Sequence, residues 1–126
     1  MGGDGSVVLV IEDEWLLRDC VAAHLRAARW RTLEARSGEA AVLLLETGQP
    51  IDIVFTDIQL AGAMSGWEVG ARFRAKMPDI PIIYTSGAGS NSGLAVPKSI
   101  FIAKPYRIEA IEEACFALAI ESRRPC

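Results

Sequence analysis

Cysteine is scarce in this chain: Cys20, Cys115 and Cys126 are odd in number, and no two stand at CxxC spacing. That excludes a disulfide framework and a cysteine zinc site, and fits reduced thiols. Histidine is scarcer still, with His24 alone. No apolar run approaches the roughly 20 residues of a membrane span. The opening MGGDGS has neither the basic flank nor the apolar segment of a signal peptide, so the expected location is cytoplasmic. A large charge of either sign is also missing. A formal net charge of −3 gives no electrostatic reason to expect direct binding of nucleic acid or of an acidic membrane. Internal repeats, heptad runs and low-complexity tracts are absent.

What is present is enough for one core. With 126 residues, 51% of them hydrophobic and 23% charged, the chain suits a single domain over residues 1–126 with its core at about 6–122. Short apolar or β-branched runs recur at 7–11 (VVLVI), 31–35 (RTLEA), 51–56 (IDIVFT), 80–85 (IPIIYT) and 99–103 (SIFIA). Between them lie segments of helical period. Leu17, Val21, Leu25 and Ala28 form one stripe over 14–29. Ser37 is placed as an N-cap and Gly48 as a stop around the second helix. WEVGARFRAKM predicts a third helix, and Ile108, Ile111, Cys115 and Leu118 share a face of the last. Residues 87–98 show no stripe and read as loop with at most a turn or two of helix. This βα alternation predicts an α/β doubly wound fold with a five-stranded parallel sheet.

In such a sheet the functional crevice lies beyond the carboxyl ends of the strands. Glu12 and Asp13 follow the first strand, Asp57 the third, Thr85 and Ser86 end the fourth, and Lys104 and Pro105 follow the fifth. Arg36 and Ser37, after the second, suggest no chemistry. Taken singly these residues are unremarked: an acid after a strand is usually a helix N-cap, and a lysine is usually a solvated surface charge. Taken together they bring three carboxylates, a hydroxyl and an ammonium to one edge. Crowded carboxylates repel unless one is protonated or a cation sits among them. An oxygen-rich set of this kind suits Mg²⁺ with a phosphate oxygen.

The runs VLVIEDE, IVFTDIQL followed by SGWE, PIIYTSG and FIAKPY resemble, in order and nearly in spacing, the receiver domain of two-component response regulators, across essentially the whole chain. The resemblance implies a flavodoxin-like sheet of order 2-1-3-4-5 and a stand-alone, CheY-like signalling domain rather than an enzyme. Its own chemistry would be limited to self-phosphorylation from donors and autodephosphorylation. By similarity, Asp57 is the phosphoacceptor for a histidine kinase or histidine phosphotransfer protein. Glu12, Asp13, Asp57 and the backbone carbonyl of Gln59 hold Mg²⁺. Lys104 contacts the phosphoryl group, Ser86 is the switch hydroxyl, Phe101 is the switch aromatic or a packing residue, and the bond to Pro105 is cis. The signal passes to a downstream protein. Two other readings stay open: a receiver-like interaction module independent of phosphate, and a small aspartate-nucleophile phosphatase. Against the phosphatase, DIQL lacks a second acid two residues after Asp57.

The chain departs from the family pattern at Ala61, where proline is frequent, and in a slightly longer loop after Asp57. Only 17 residues separate Ser86 from Lys104, which predicts a shortened or irregular fourth helix. By the same resemblance, Gln59 and Ala88 hold the two positions that tune phosphoryl lifetime in the family. Phe116 and Ile120 fall off the apolar stripe beside Glu109 and Glu113. They are expected to be exposed, either as scattered apolar residues or as part of a homodimer or partner surface over the fourth helix, fifth strand and fifth helix. His24 reads as a partly buried structural imidazole. Trp15 and Trp67 are expected to cap the edge of the site or the core.

Overall fold

Runs rich in β-branched residues become strands here, and the segments of helical period between them become helices. The computed structural model describes residues 5–87 and 93–122, with side chains as far as 119. In chain order the elements are β1 (Val7–Ile11), α1 (Trp15–Ala27), β2 (Arg31–Ala35), α2 (Gly38–Glu46), β3 (Ile53–Asp57), α3 (Gly66–Lys76), β4 (Ile82–Ser86), β5 (Ile100–Ala103) and α4 (Ile108–Ser122). All strand pairs are parallel, as the alternation predicts, and the order is β2-β1-β3-β4-β5, as the resemblance implies. No described helix is long and apolar enough to cross a membrane.

The strands' alternation divides the interior into two. Leu9, Ile11, Val54, Ile82 and Tyr84 pack with Val69 and Phe73 on the α2/α3 side. Val8, Val10, Ile53, Phe55 and Ile83 pack with Val21, Leu25, Ile111 and Cys115 on the α1/α4 side. The three central strands are buried along their whole length, which is why they read as unbroken apolar runs.

Helix ends follow local chemistry. Ser37 accepts from the Ala40 N–H at 3.1 Å, and α2 ends before Gly48, whose φ of 77° suits a residue without a side chain. Ser65 and Glu68 form a full capping box at the start of α3. Arg29 turns left-handed after α1 (φ 74°), and the Trp30 N–H reaches back to the Leu25 carbonyl at 2.9 Å.

Several expectations shift. The third and fourth strands lie one or two residues further along than the runs at 51–56 and 80–85. Ile51 and Ile80 are buried in the α2/α3-side core without joining the ladder, so their apolar character reflects packing rather than pairing. The first helix, expected over 14–29, runs from Trp15 to Ala27 with Glu14 as its N-cap residue. Between β4 and β5 the described residues contain turns and no helix, in line with the missing stripe there, so the C-terminal helix is the fourth among the described residues. Phe116 is not exposed: it is half-buried against the α1/α4-side core, which spreads across Ala114, Phe116 and Ala119 on both sides of Cys115. The side chain of Ile120 and all of Ala88 lie outside the described residues. Trp15 caps no core, being 66% exposed, whereas Trp67 packs on the α2/α3-side core with its ring centroid 4.7 Å from that of Tyr84. His24 is half-buried, and its Nε2 lies 2.9 Å from Glu112 Oε1, tying α1 to α4.

Candidate functional site

Glu12 leaves the end of β1 fixed at every polar group. Its N–H donates to the Ala35 carbonyl of β2 at 3.1 Å, and its carbonyl accepts from Arg18 Nη1 at 2.9 Å. Its carboxylate accepts from the Glu14 N–H at 3.2 Å and from Lys104 Nζ at 3.3 Å. Asp13, next in the chain, is exposed. Asp57 is the last residue of β3 and is buried. Its Oδ1 accepts from the Gln59 N–H at 3.1 Å and its Oδ2 from Lys104 Nζ at 2.8 Å. Lys104 therefore stands between two carboxylates just beyond β5, and the Lys104–Pro105 peptide is cis.

The loop after Asp57 is held by its own apolar side chains and by an acid of α2. Leu60 and Met64 pack on the α2/α3-side core, and the Ala63 N–H donates to Glu39 Oε2 at 3.1 Å. Gly66 passes so close under the strand end that a Cβ there would lie 2.2 Å from the Asp57 carbonyl oxygen.

Strand register sorts the remaining residues. Thr85 is opposite Asp57, and Ser86 is opposite Ala103. Alternation then puts Ser86 on the α2/α3 side of the sheet with Tyr84 and with Phe101, which is half-buried there. Ser86 is buried, and its main-chain carbonyl accepts from the Lys104 N–H at 3.0 Å. Gln59 is exposed at the mouth of the loop.

Charge burial shapes the electrostatics. Removal from water, reinforced by Asp57, pushes the Glu12 carboxyl from its ordinary 4.5 up to about 7, with the Glu14 N–H and Lys104 pulling the other way. Burial works against the Lys104 ammonium, but Asp57 and Glu12 outweigh it and raise its pKa. Lys104 thus stays charged and serves chiefly Asp57, its closer partner. Tyr106, beside them, is raised to about 12 by burial.

Pattern reading found the acids and Lys104 because each is a polar residue at the end of an apolar run. It missed Arg18, which pins the Glu12 main chain and also pairs with Glu34 at 3.2 Å. Its signal is an arginine one turn into the helix that follows the acid pair. It also missed Tyr106 Oη, which, like the Oγ1 of Thr85, is a buried hydroxyl without a hydrogen-bond partner among the described residues.

One carboxylate oxygen from each of Glu12, Asp13 and Asp57 lies within 4.8 Å of the others. Such an all-oxygen set matches the donor preference of a hard divalent cation such as Mg²⁺. Two of its carboxylates, Glu12 and Asp57, are buried and in contact with the Lys104 ammonium, and Asp57 is the nearer to it.

Comparison with known proteins agrees with this geometry. A family model described as the response regulator receiver domain matches residues 8–116. The chain is 31% identical to the phosphate regulon transcriptional regulatory protein PhoB of Pseudomonas aeruginosa, over 81% of this chain and 46% of that one. It is 28% identical to the probable transcriptional regulatory protein TcrX of Mycobacterium tuberculosis, over 86% and 47%. It thus spans about half the length of these two curated relatives. Among solved structures, a response regulator receiver protein from Sinorhizobium medicae superposes with a TM-score of 0.85 at 29% identity, covering 96% of this chain and 98% of that one. The response regulator TrrA of Thermotoga maritima in complex with Mg²⁺–BeF gives 0.75 at 25% identity, covering 90% and 98%.

Proposed function

Since the chain belongs to the response regulator receiver domain family, we propose that it is a single receiver domain in which Asp57 accepts a phosphoryl group from the phosphohistidine of a histidine kinase or histidine phosphotransfer protein. A carboxylate oxygen of Asp57 attacks phosphorus, the P–N bond breaks, and its electron pair returns to the imidazole nitrogen. The observation that carries this reading is the position of Asp57: a buried carboxylate at the end of a central strand, 2.8 Å from an ammonium and grouped with Glu12 and Asp13.

Each neighbour has a role in that reading. Glu12, Asp13, Asp57 and the main-chain carbonyl of Gln59 are the ligands for Mg²⁺, which when bound offsets negative charge on the phosphoryl oxygens. Lys104 exchanges its contact with Asp57 Oδ2 for one with the phosphoryl group. Ser86 supplies a hydroxyl on the far side, and Phe101 follows it. The output is a shift in population toward the state in which Ser86 and Lys104 contact phosphate, read by a protein partner in the cytoplasm.

The test is incubation with acetyl phosphate or phosphoramidate plus Mg²⁺, followed by intact mass. One phosphoryl group should add to the native chain and none to Asp57→Asn. No adduct with any donor would leave a phosphate-independent interaction module. Repeated turnover of phosphoesters would make the chain a phosphatase.

A further inference from the structure

The crossover from the end of β4 to the start of β5 contains no helix among its described residues, yet those residues are fastened to the domain. Arg74, half-buried on α3, donates from Nε to the Ile80 carbonyl at 2.7 Å. It donates from Nη1 to the Pro97 carbonyl and from Nη2 to the Lys98 carbonyl at 3.2 Å. One guanidinium therefore joins α3, the segment leading into β4 and the segment leading into β5. Charge-assisted bonds from a planar fork are stronger and more directional than neutral ones.

Tyr84 makes the second fastening. Its Oη accepts from the Val96 N–H at 3.4 Å, while Ser99 Oγ closes on the Val96 carbonyl at 2.7 Å. Ala95 and Val96 pack on the same core as Tyr84. The tyrosine has little freedom on its α3 side. Trp67 lies against its ring, and a Cβ on Gly70 would stand 2.0 Å from its Oη. Along β4, Tyr84 shares a face with Ser86 two residues on, and its register partner on β5 is Phe101.

We propose that residues 93–99 form a strap leading into β5, and that Arg74 and Tyr84 are positioning residues through which the state of the Asp57 site sets how tightly the strap is held. The input rests on the phosphoacceptor reading of Asp57; the fastening does not. A shift of Ser86 or Phe101 meets Tyr84 on the one face they share. Because Trp67 and Gly70 leave no room toward α3, the displacement passes to the hydroxyl and to Val96. Arg74 determines how far the strap can follow.

Amide hydrogen exchange on the full chain tests this, read at strap residues 94, 95, 96, 98 and 99 in native protein, Arg74→Ala and Tyr84→Phe. Each is measured with Mg²⁺ alone and with Mg²⁺ plus beryllium fluoride as the phosphoryl mimic. Arg74→Ala should speed strap exchange by about tenfold without changing exchange in β1 and β3. The mimic should change strap exchange in the native chain by about threefold or more, and Tyr84→Phe should lose that response while still loading on Asp57. Where Arg74→Ala does not fold, Arg74→Lys, which keeps the charge and loses the fork, carries the same expectation. Unchanged strap exchange in a folded Arg74 variant overturns the proposal, as does a native strap indifferent to a loaded site. Failure of every donor to load Asp57 removes the phosphoacceptor reading and the strap's input with it. Loading without a strap response overturns the strap proposal alone.

Discussion

Lys104 holds two carboxylates at once, at 2.8 Å from Asp57 and 3.3 Å from Glu12, so truncating it leaves buried acceptors without a cation. Lys104→Ala should lower stability by about 2 kcal/mol, measured by urea unfolding without divalent cations, and should slow adduct formation from acetyl phosphate. Glu12 makes a prediction of the opposite kind. Its folded pKa of about 7 lies above its ordinary 4.5, so between those values the folded chain binds more protons than the unfolded one. Stability from this group is therefore fully present below about pH 4.5 and is lost as pH rises toward 7. Unfolding midpoints without Mg²⁺ should show Glu12→Gln gaining on the native chain from pH 5 to pH 8; equal slopes would refute the burial argument. The proposed Mg²⁺ affinity should rise over the same window, since a metal ligand must be deprotonated. These acids were legible in the sequence only as a set: each alone reads as a helix N-cap, but with Lys104 they stand at the same end of successive apolar runs. The hydroxyl of Tyr106, without a partner among the described residues, was not legible, because a tyrosine before a helix looks ordinary until burial removes its water.

At the level of elements, close approach between backbones decides more than propensity does. Gly70 lies inside α3, where Gly→Ala on an open surface stabilises by about 1 kcal/mol. Here the added carbon would meet Tyr84 Oη at 2.0 Å and Cζ at 2.9 Å. Gly70→Ala should therefore destabilise, and Tyr84→Phe in the same chain should recover only part of the loss, because the ring carbon remains too close; chemical denaturation of the single and double variants measures it. Gly66→Ala should cost about 3 kcal/mol or more, because its obstacle is the Asp57 main chain rather than the end of a side chain. Removing the capping box with Ser65→Ala should cost about 1 kcal/mol. The existence and type of the elements followed from periodicity, but their ends did not. Ile51 and Ile80 are as apolar as strand residues because they are buried, and no pattern separates burial beneath a sheet from pairing within it. The strap was legible only as a missing stripe. Arg74, which fastens it, looked like one more charge on a solvated helix face.

For the molecule as a whole, Mg²⁺ binding to the native state alone should raise the midpoint of thermal unfolding. At a concentration roughly 100-fold above the dissociation constant the gain is about 2.7 kcal/mol, and Asp57→Asn should diminish it. The βα alternation made a parallel sheet readable, but the strand order came with the resemblance to receiver domains, because crossover handedness alone leaves several orders open. The partition of the interior into two cores followed less directly, since β1, β3 and β4 are buried on both faces and show no alternation. The sheet's two outer strands bear on how the protein behaves in concentrated solution. Among the described residues β2 and β5 each pair along one side only, and a free row of peptide groups is a template on which another chain can add a strand and begin a fibril. Arg31 and Glu34 charge the exposed positions of β2. β5 has half-buried Phe101 and Ile102 but only four residues, and it stops at Lys104 and at Pro105, which has no N–H to donate. The short run that delivers the lysine to the acids is therefore also a brake on intermolecular strand growth, so colloidal stability depends on where β5 ends.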